Sequence, residues 1–171
     1  MIGWHMQPYV SGLLCLTEPS RLVLAQKAVD CFVQQNWAHR ELVVLNATGQ
    51  ALPRLKHPGC DLRTVSLLPK PADALVQLAT SLAQGEWCLT WRDDCWFEAD
   101  YIRAHMLAAS KDHQTQVRDV SVYMVDSCRH GPGRVEGLVG FFRLQPARDS
   151  VHFIDGRSLV LHFIREHSAH S

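Results

Sequence analysis

The chain has 171 residues, of which 47% are hydrophobic and 20% charged, and its formal net charge is zero. This length suffices for one domain with a substantial core. The composition is that of a folded protein rather than a disordered one. A balanced charge disfavours a dedicated nucleic-acid coat, which needs an excess of Lys and Arg, but it is compatible with a local basic groove.

The sequence also bears on the compartment. Its apolar runs fall short of the roughly 18 residues that a membrane helix needs, and its first ten residues lack the charged and apolar regions of a signal peptide. The six cysteines include no Cys-x-x-Cys pair. Free thiols in a reducing compartment therefore fit better than a disulfide framework or a zinc site. We expect a cytoplasmic protein without a membrane segment.

Strand and helix patterns alternate in the first part of the chain. Apolar runs predict four strands, at residues 9–16, 41–45, 62–68 and 87–91. Apolar residues at helical spacing predict three helices, beginning at Pro19, at Pro71 and near Glu98. Gly85 follows the second helix and is interpreted as its C-cap. This alternation predicts a parallel sheet with right-handed crossovers.

The pattern changes after residue 109. Alternating residues predict further strands, at residues 119–125, 137–143 and 151–154. Residues 128–134 contain Gly-Pro-Gly and are interpreted as a turn. Residues 157–167 are interpreted as a closing helix.

Two neighbouring carboxylates, Asp93 and Asp94, directly follow the apolar run 87–91. Ligands of open α/β sheets bind at the carboxyl ends of the strands. Adjacent carboxylates repel each other, and proteins commonly keep such pairs to bind Mg²⁺ or Mn²⁺ together with the phosphates of a nucleotide. On chemistry alone, two ordinary aspartates on a solvated loop explain the pattern equally well.

The segment from residue 75 to residue 101 resembles the metal-binding region of family 2 glycosyltransferases, which have the GT-A fold. The residues that match the family pattern are Ala83, Gly85, Glu86, Trp87, Asp93, Asp94, Trp96 and the run Ala99-Asp100-Tyr101. Residues 28–45 are similar to an upstream helix and strand of the family. The resemblance covers about residues 9–109.

This resemblance implies an α/β fold with a GT-A-like (Rossmann-like), mostly parallel sheet flanked by helices. Residues 1–171 would form a single compact domain. About residues 9–109 would be the half that binds a nucleotide sugar, and about residues 110–167 would form a short acceptor-side half.

The resemblance also implies a Mn²⁺ or Mg²⁺ site. By position Asp94 is the metal ligand, while Asp93 assists through the ribose or a metal-bound water. Arg92 stands where the family often has an aspartate, and it either contacts a phosphate or forms a salt bridge with the two aspartates. His162 or His167 would complete the metal site, but a histidine on an apolar helix is more often a core residue.

The expected donor contacts depart from the family at several positions. After the first strand the chain has Thr17 and Glu18, which are candidates for contacting the nucleoside, although Glu18 also suits the cap of the next helix. After the second strand Asn46 replaces an acidic residue and could bind a ribose or base edge. Lys70, before the second helix, is a candidate for a phosphate contact because the family's arginine in that helix is missing.

A transferase that inverts the anomeric centre needs a carboxylate to accept the proton of the acceptor hydroxyl. The family pattern points to Asp155 as this catalytic base, with Asp149 and Glu136 as weaker alternatives. Asp155 could equally be the N-cap of the predicted closing helix. Trp91 and Trp96 could stack on a sugar or base, or could be core residues.

The leading hypothesis is a metal-dependent glycosyltransferase that moves a sugar from a nucleoside-diphosphate donor to an unidentified acceptor, which could be a glycan, a protein or a modified nucleic-acid base. The alternative is a catalytically inactive GT-A-like module that acts through a partner protein. A nucleotidyltransferase is disfavoured because no Gly-rich, basic phosphate loop follows the first strand.

Overall fold

Strands and helices alternate along the first part of the chain, as the apolar pattern predicts. A computed structural model describes residues 7–109, 114–124, 129–134, 138–142 and 151–164. The strands are β1 (Val10–Leu16), β2 (Arg40–Asn46), β3 (Asp61–Ser66), β4 (Trp87–Trp91), β5 (Cys95–Phe97), β6 (Gln114–Met124), β7 (Arg129–Gly133), β8 (Val139–Phe142) and β9 (Val151–Ile164). The helices are a 3-10 helix (Pro19–Leu24), α1 (Ala25–Val33), α2 (Ala72–Leu82) and α3 (Tyr101–Ala108). The predicted α/β class is confirmed.

The first four strands form the parallel part of the sheet, in the order β3-β2-β1-β4. The strand β2 is buried at every position after Arg40, as expected for a central strand covered by helices on both faces. The helix α1 buries Ala28, Val29 and Phe32 in one core cluster, and α2 buries Leu75 and Ala79 in another. The predicted strands and helices of this part are confirmed, with ends that differ by a few residues.

The remaining strands extend the sheet beyond β4 in the order β8-β6-β9-β5, and β7 pairs with β6 at the side. The strand β9 runs parallel to β6 and antiparallel to β5. Gly156 and Leu161 of β9 pair with adjacent residues of β6, so residues 157–160 form a bulge. The register between β6 and β9 therefore differs by four residues before and after this bulge.

Two sequence predictions in this part are wrong. The closing helix is contradicted because residues 157–164 belong to β9, where pairing with β5 and β6 overrides a local helical pattern. The Gly-Pro turn at residues 128–134 is contradicted because Arg129–Gly133 is the strand β7. Its Gly and Pro residues are tolerated because β7 pairs only with β6 among the described strands.

Gly85 is not the cap of α2. The helix ends at Leu82, and its C-cap is Ala83 in an extended conformation. Gly85 instead passes close to β1, because a Cβ atom on it would lie 2.6 Å from the backbone nitrogen of Ser11 and 2.8 Å from the carbonyl oxygen of Tyr9. The requirement for glycine is therefore steric, since only a residue without a side chain fits.

A buried polar network joins the amino ends of the parallel strands. Glu41 of β2 is 2% exposed, and its Oε1 accepts hydrogen bonds from Ser11 Oγ at 2.7 Å and from the backbone nitrogen of Gln84 at 2.5 Å. Its Oε2 lies 3.1 Å from Arg63 Nη2. The Ser11 hydroxyl in turn accepts from the Gly85 amide at 2.8 Å. One carboxylate thus connects β1, β2, β3 and the loop before β4.

His105 of α3 is buried between Tyr101 and Thr115. Its ring lies 4.7 Å from that of Tyr101, and its Nδ1 is 2.7 Å from Thr115 Oγ1. Burial lowers the pKa of His105 to about 3. The unfolded chain, with an ordinary histidine pKa near 6.5, therefore binds the proton first as the pH falls.

Stability should consequently decrease as the pH falls below about 6.5, by roughly 2 kcal/mol between pH 7 and pH 5 from this residue alone. Urea unfolding at both pH values should show this loss in the wild type and a smaller loss in His105→Gln. The matched control is His57→Gln, which makes the same substitution at an exposed histidine. Equal pH dependence of His105→Gln and the wild type would contradict the prediction.

Among the described residues, no helix is both long and apolar enough to cross a membrane.

Candidate functional site

The carboxyl ends of β1, β2 and β4 meet at one edge of the sheet. Leu16, the last residue of β1, pairs with Asn46, the last residue of β2. Trp91, the last residue of β4, pairs with Leu14 of β1. The loops after these three strands therefore lie side by side, and they carry most of the residues predicted to bind a donor.

The acidic pair lies at this edge and is largely enclosed. The side chains of Asp93 and Asp94 are only 8% and 16% exposed. The Arg21 guanidinium hydrogen-bonds Asp93 Oδ1, and the same Nη2 atom lies 3.3 Å from Asp94 Oδ2. Arg92 contacts Asp94 with two hydrogen bonds, from Nε to Oδ1 at 2.8 Å and from Nη2 to Oδ2 at 2.6 Å. Both carboxylates are thus paired with arginine.

A third basic side chain, Lys27, lies near the pair. Lys27 of α1 donates from Nζ to the carbonyl oxygen of Cys95 at 2.7 Å. Burial lowers the pKa of the Lys27 ammonium, against the opposing effect of neighbouring groups that include both aspartates. Burial also raises the pKa of Asp93, while the Arg21 charge lowers it. Two arginines therefore contact the carboxylates directly, and Lys27 lies close enough to interact with both electrostatically.

Arg21, like Lys27, is a site residue that the sequence interpretation missed. It lies in the 3-10 helix after β1, 72 residues before Asp93. The local sequence offers only a single arginine in the first turn of a predicted helix, so the ion pair becomes visible only when β1 and β4 are adjacent.

The residues predicted to contact the nucleoside or a phosphate differ in their exposure and in their hydrogen bonds. Thr17 and Glu18 are exposed just beyond β1. Glu18 is the N-cap residue of the 3-10 helix but makes no side-chain cap hydrogen bond. Lys70 is exposed before α2. These three side chains face solvent near the ends of the predicted elements.

Asn46, in contrast, is 1% exposed and organises its own loop. Its Oδ1 accepts from the Thr48 hydroxyl at 2.6 Å, and its Nδ2 donates to the carbonyl oxygen of Gln50 at 2.8 Å. Both ends of the amide are thus used within the loop. Asn46 therefore fixes the conformation of the loop after β2, at the carboxyl edge of the sheet.

A shallow cavity of about 500 Å³ lies beside β3. It is lined by Leu52, Arg54 and Leu55 of the loop before β3 and by Ser66 at the carboxyl end of that strand. Because Ser66 pairs with Asn46, one end of this cavity reaches the carboxyl edge of the sheet, with β2 and β1 between it and the strand that precedes the acidic pair.

His162 comes next to the acidic pair through strand pairing. It lies on β9 and not on a helix, and it is the pairing partner of Cys95, the residue after Asp94. Backbone register thus brings together three of the predicted metal-site residues, Asp93, Asp94 and His162. His167 lies outside the described residues.

Asp155 also lies on β9, so it caps no helix. Its β6 partner Asp119 is three residues from Val122, the partner of His162. Asp155 and His162 are therefore separated by roughly 10 Å along the sheet. The exposed Asp155 carboxylate pairs with Arg157 Nη2 at 2.9 Å, and this hydrogen bond lowers the pKa of Asp155. Its role as the base stays a prediction; Glu136 and Asp149 lie outside the described residues.

The two tryptophans near the pair have different environments. Trp91 is 2% exposed, its ring stacks at 4.0 Å on Phe97, and its Nε1 donates to the carbonyl oxygen of Ala28 at 2.9 Å. Trp91 is therefore a core residue. Trp96 of β5 is 36% exposed and remains available for contact with a ligand.

The donor atoms at this edge suit a hard divalent cation. Mg²⁺ and Mn²⁺ take oxygen ligands, and Mg²⁺ is commonly held by only one or two carboxylates together with substrate phosphates. Among the described residues, no group of three or more His, Cys, Asp and Glu side chains is arranged around one point. The fit therefore requires phosphate oxygens as further ligands, and it requires the arginines to release the carboxylates.

Comparison with known proteins identifies the fold. No protein-family model matches the chain, and no curated protein matches it. S. aureus TarS 1-349 in complex with UDP-GlcNAc superimposes with a TM-score of 0.67 at 10% identity, over 95% of this chain and 62% of that one. The chain has a GT-A-like fold. It spans less than two thirds of the length of TarS 1-349.

Two further structures support this conclusion. The mannosyltransferase PcManGT from Pyrobaculum calidifontis, in complex with GDP-Man and Mn2+, has a TM-score of 0.56 at 18% identity, over 66% of this chain and 36% of that one. A homolog of Mycobacterium tuberculosis rv0371c from mycobacterium sp. strain JC1 has a TM-score of 0.55 at 10% identity, over 88% of both chains. At such identities the likeness establishes the fold alone.

Proposed function

We propose that this protein is a glycosyltransferase that takes a sugar from a nucleoside-diphosphate donor. The observation that carries the proposal is the position of Asp93 and Asp94, enclosed with arginines at the carboxyl edge of a GT-A-like sheet. TarS and PcManGT, which share this fold, are seen in complex with UDP-GlcNAc and with GDP-Man and Mn2+. Membership of family 2 in particular rests on the sequence resemblance.

The nucleoside would lie across the ends of β1 and β2. There Thr17 and Glu18 are exposed, and the cavity beside β3 offers space for a planar base. Asn46 would fix the shape of the loop after β2 through its hydrogen bonds to Thr48 and Gln50. Lys70 remains a proposed phosphate contact at the start of α2.

The diphosphate would lie against Arg92, Asp93 and Asp94. A divalent cation held by Asp94, Asp93 and His162 would neutralise charge on the leaving diphosphate. The chain itself supplies the guanidiniums of Arg21 and Arg92, which match phosphate oxygens in geometry and charge. Lys27 would add a further basic group near the pair.

The acceptor would approach from the strands β6 to β9, so that residues 1–171 act as one domain with a short acceptor-side half at about residues 110–167. Trp96 is exposed beside the acidic pair and would contact the transferred sugar or the acceptor. Asp155 is the proposed base, and its pairing with Arg157 would have to open for it to accept a proton.

A second candidate function is a GT-A-shaped binding module without catalysis. It is favoured by the ion pairs that occupy both carboxylates and by the Asn46 amide, which is used within its own loop. Such a module would need its aspartates only for structural stability.

Slow hydrolysis of nucleotide sugars in water distinguishes the two candidates. We expect release of UDP or GDP from a panel of nucleotide sugars in the presence of Mn²⁺, and loss of that release in the double variant Asp93→Ala/Asp94→Ala. The control is Asp73→Ala, an exposed aspartate in the first turn of α2. No turnover for any donor together with no nucleotide binding would contradict the proposed function. Binding without turnover would favour the module.

A further inference from the structure

The arginine pairs at the acidic edge suggest how ligands enter the site, an inference that rests on the proposed function. Arg21 contacts both aspartates, and Arg92 contacts Asp94 through two atoms. Together these contacts occupy both oxygens of Asp94 and one oxygen of Asp93. In this arrangement the guanidiniums stand where a divalent cation would have to bind.

The same guanidiniums suit a diphosphate. A planar guanidinium pairs with phosphate oxygens as well as with a carboxylate, so exchange between the two requires no new type of contact. Arg21 and Arg92 have side chains that are 31% and 34% exposed, while those of Asp93 and Asp94 are 8% and 16% exposed. The arginines are therefore the part of the cluster that an incoming anion meets first.

The same arginines oppose the binding of a divalent cation that arrives without an anion. To reach Asp94 it would have to displace Arg92 and the Arg21 contact at 3.3 Å, and both positive groups would then lie beside the ion and near Lys27. Neighbouring positive charges repel each other more strongly when they are partly removed from water. The free protein therefore disfavours the metal ion until an anion has taken over the arginines.

We propose that Arg21 and Arg92 are exchange residues, which hold Asp93 and Asp94 in the free protein and transfer to the diphosphate of the donor, so that the metal ion binds more tightly when the nucleotide is present. Each ligand then strengthens the binding of the other by the same factor, as thermodynamic linkage requires. The device also keeps the acidic pair from collecting divalent cations when no donor is present.

The test has two parts. Binding of Mn²⁺ alone is measured by titration, with electron paramagnetic resonance detecting the free ion. Binding of UDP and of GDP is measured in parallel by calorimetric titration. The proteins are the wild type, Arg21→Ala, Arg21→Lys and Arg92→Ala. Arg103→Ala, an exposed arginine of α3, is the matched control. Because nucleotides chelate Mn²⁺, mixtures without protein provide the baseline. Thermal unfolding shows that each variant is folded.

For the wild type we expect Mn²⁺ alone to bind at least tenfold more weakly than in the presence of the nucleotide. Arg21→Ala should bind Mn²⁺ alone about tenfold more tightly than the wild type, because a carboxylate is released, while its nucleotide affinity falls about tenfold. Arg21→Lys should lie between the two, and Arg103→Ala should match the wild type. Arg92→Ala should change both affinities in the same directions, which keeps the test decisive if Arg21→Ala fails to fold.

A merely structural salt bridge would lower nucleotide affinity without raising metal affinity, and that result would overturn the inference. Equal affinity of the wild type for Mn²⁺ with and without nucleotide would also overturn it. If no nucleotide binds under any condition, the proposed function fails first. The titrations with Mn²⁺ alone still decide whether the arginines exclude the ion.

Discussion

Replacing Asp94 by alanine is expected to lower the rate of donor hydrolysis by about 100-fold or more. Asp94 is the carboxylate that the proposed function assigns to the metal ion, and loss of charge stabilisation on a leaving group is worth several kcal/mol, with each 1.36 kcal/mol corresponding to tenfold in rate. The measurement is release of UDP or GDP at saturating Mn²⁺ and donor.

Two controls separate this loss from unfolding. Asp94→Asn keeps the size of the side chain and one of the contacts to Arg92, and it should lose nearly as much activity while retaining the thermal stability of the wild type. Asp73→Ala should keep full activity. An Asp94→Asn variant with wild-type activity would show that the carboxylate charge serves only the fold.

Replacing Glu41 by alanine is expected to destabilise the protein by about 3 kcal/mol. Removing one partner of a buried ion pair costs about 3–5 kcal/mol because the other partner loses its countercharge. We expect the lower end of that range because Arg63, at 35% exposure, regains water, whereas Ser11 and the Gln84 amide lose their acceptor. Urea unfolding at pH 7 gives the value.

The exposed neighbour provides the comparison. Asp61→Ala removes a carboxylate from the adjacent strand and should change stability by less than about 1 kcal/mol, as surface groups do. Nucleotide affinity of folded Glu41→Ala should be unchanged, since Ser11 and Leu16 mark opposite ends of β1 and lie roughly 16 Å apart along it. A Glu41→Ala variant as stable as Asp61→Ala would contradict the assigned role of the network.

The parallel half of the sheet could be predicted because its strands are continuous apolar runs between amphipathic helices. The run Leu42–Leu45 is completely buried, and a strand buried on both faces has a continuous apolar sequence of this kind. The mixed half could not be predicted in the same way. In β9 a bulge at residues 157–160 interrupts the alternation, and its partners β5 and β6 are distant in sequence. The three-residue β5 is too short to carry a pattern of its own.

The residues of the candidate site likewise include some that could be predicted from the sequence and some that could not. The position of Asp93 and Asp94 at the edge of the sheet was predictable because they closely follow, in the sequence, the strand that presents them. Arg21 was not predictable, since its contact with Asp93 depends on the pairing of β1 with β4. Of the two interpretations of Arg92, the described contacts show the salt bridge to Asp94, and the phosphate contact stays a prediction.

A crystal structure of the protein grown with Mn²⁺ and a nucleoside diphosphate, UDP or GDP, tests the central claim most directly. The proposed function predicts the diphosphate at the carboxyl ends of β1 and β4, a metal ion bonded to Asp94 and to phosphate oxygens, and Arg21 turned from Asp93 toward the phosphates. A nucleotide bound elsewhere, with the Arg21–Asp93 pair intact, would contradict it.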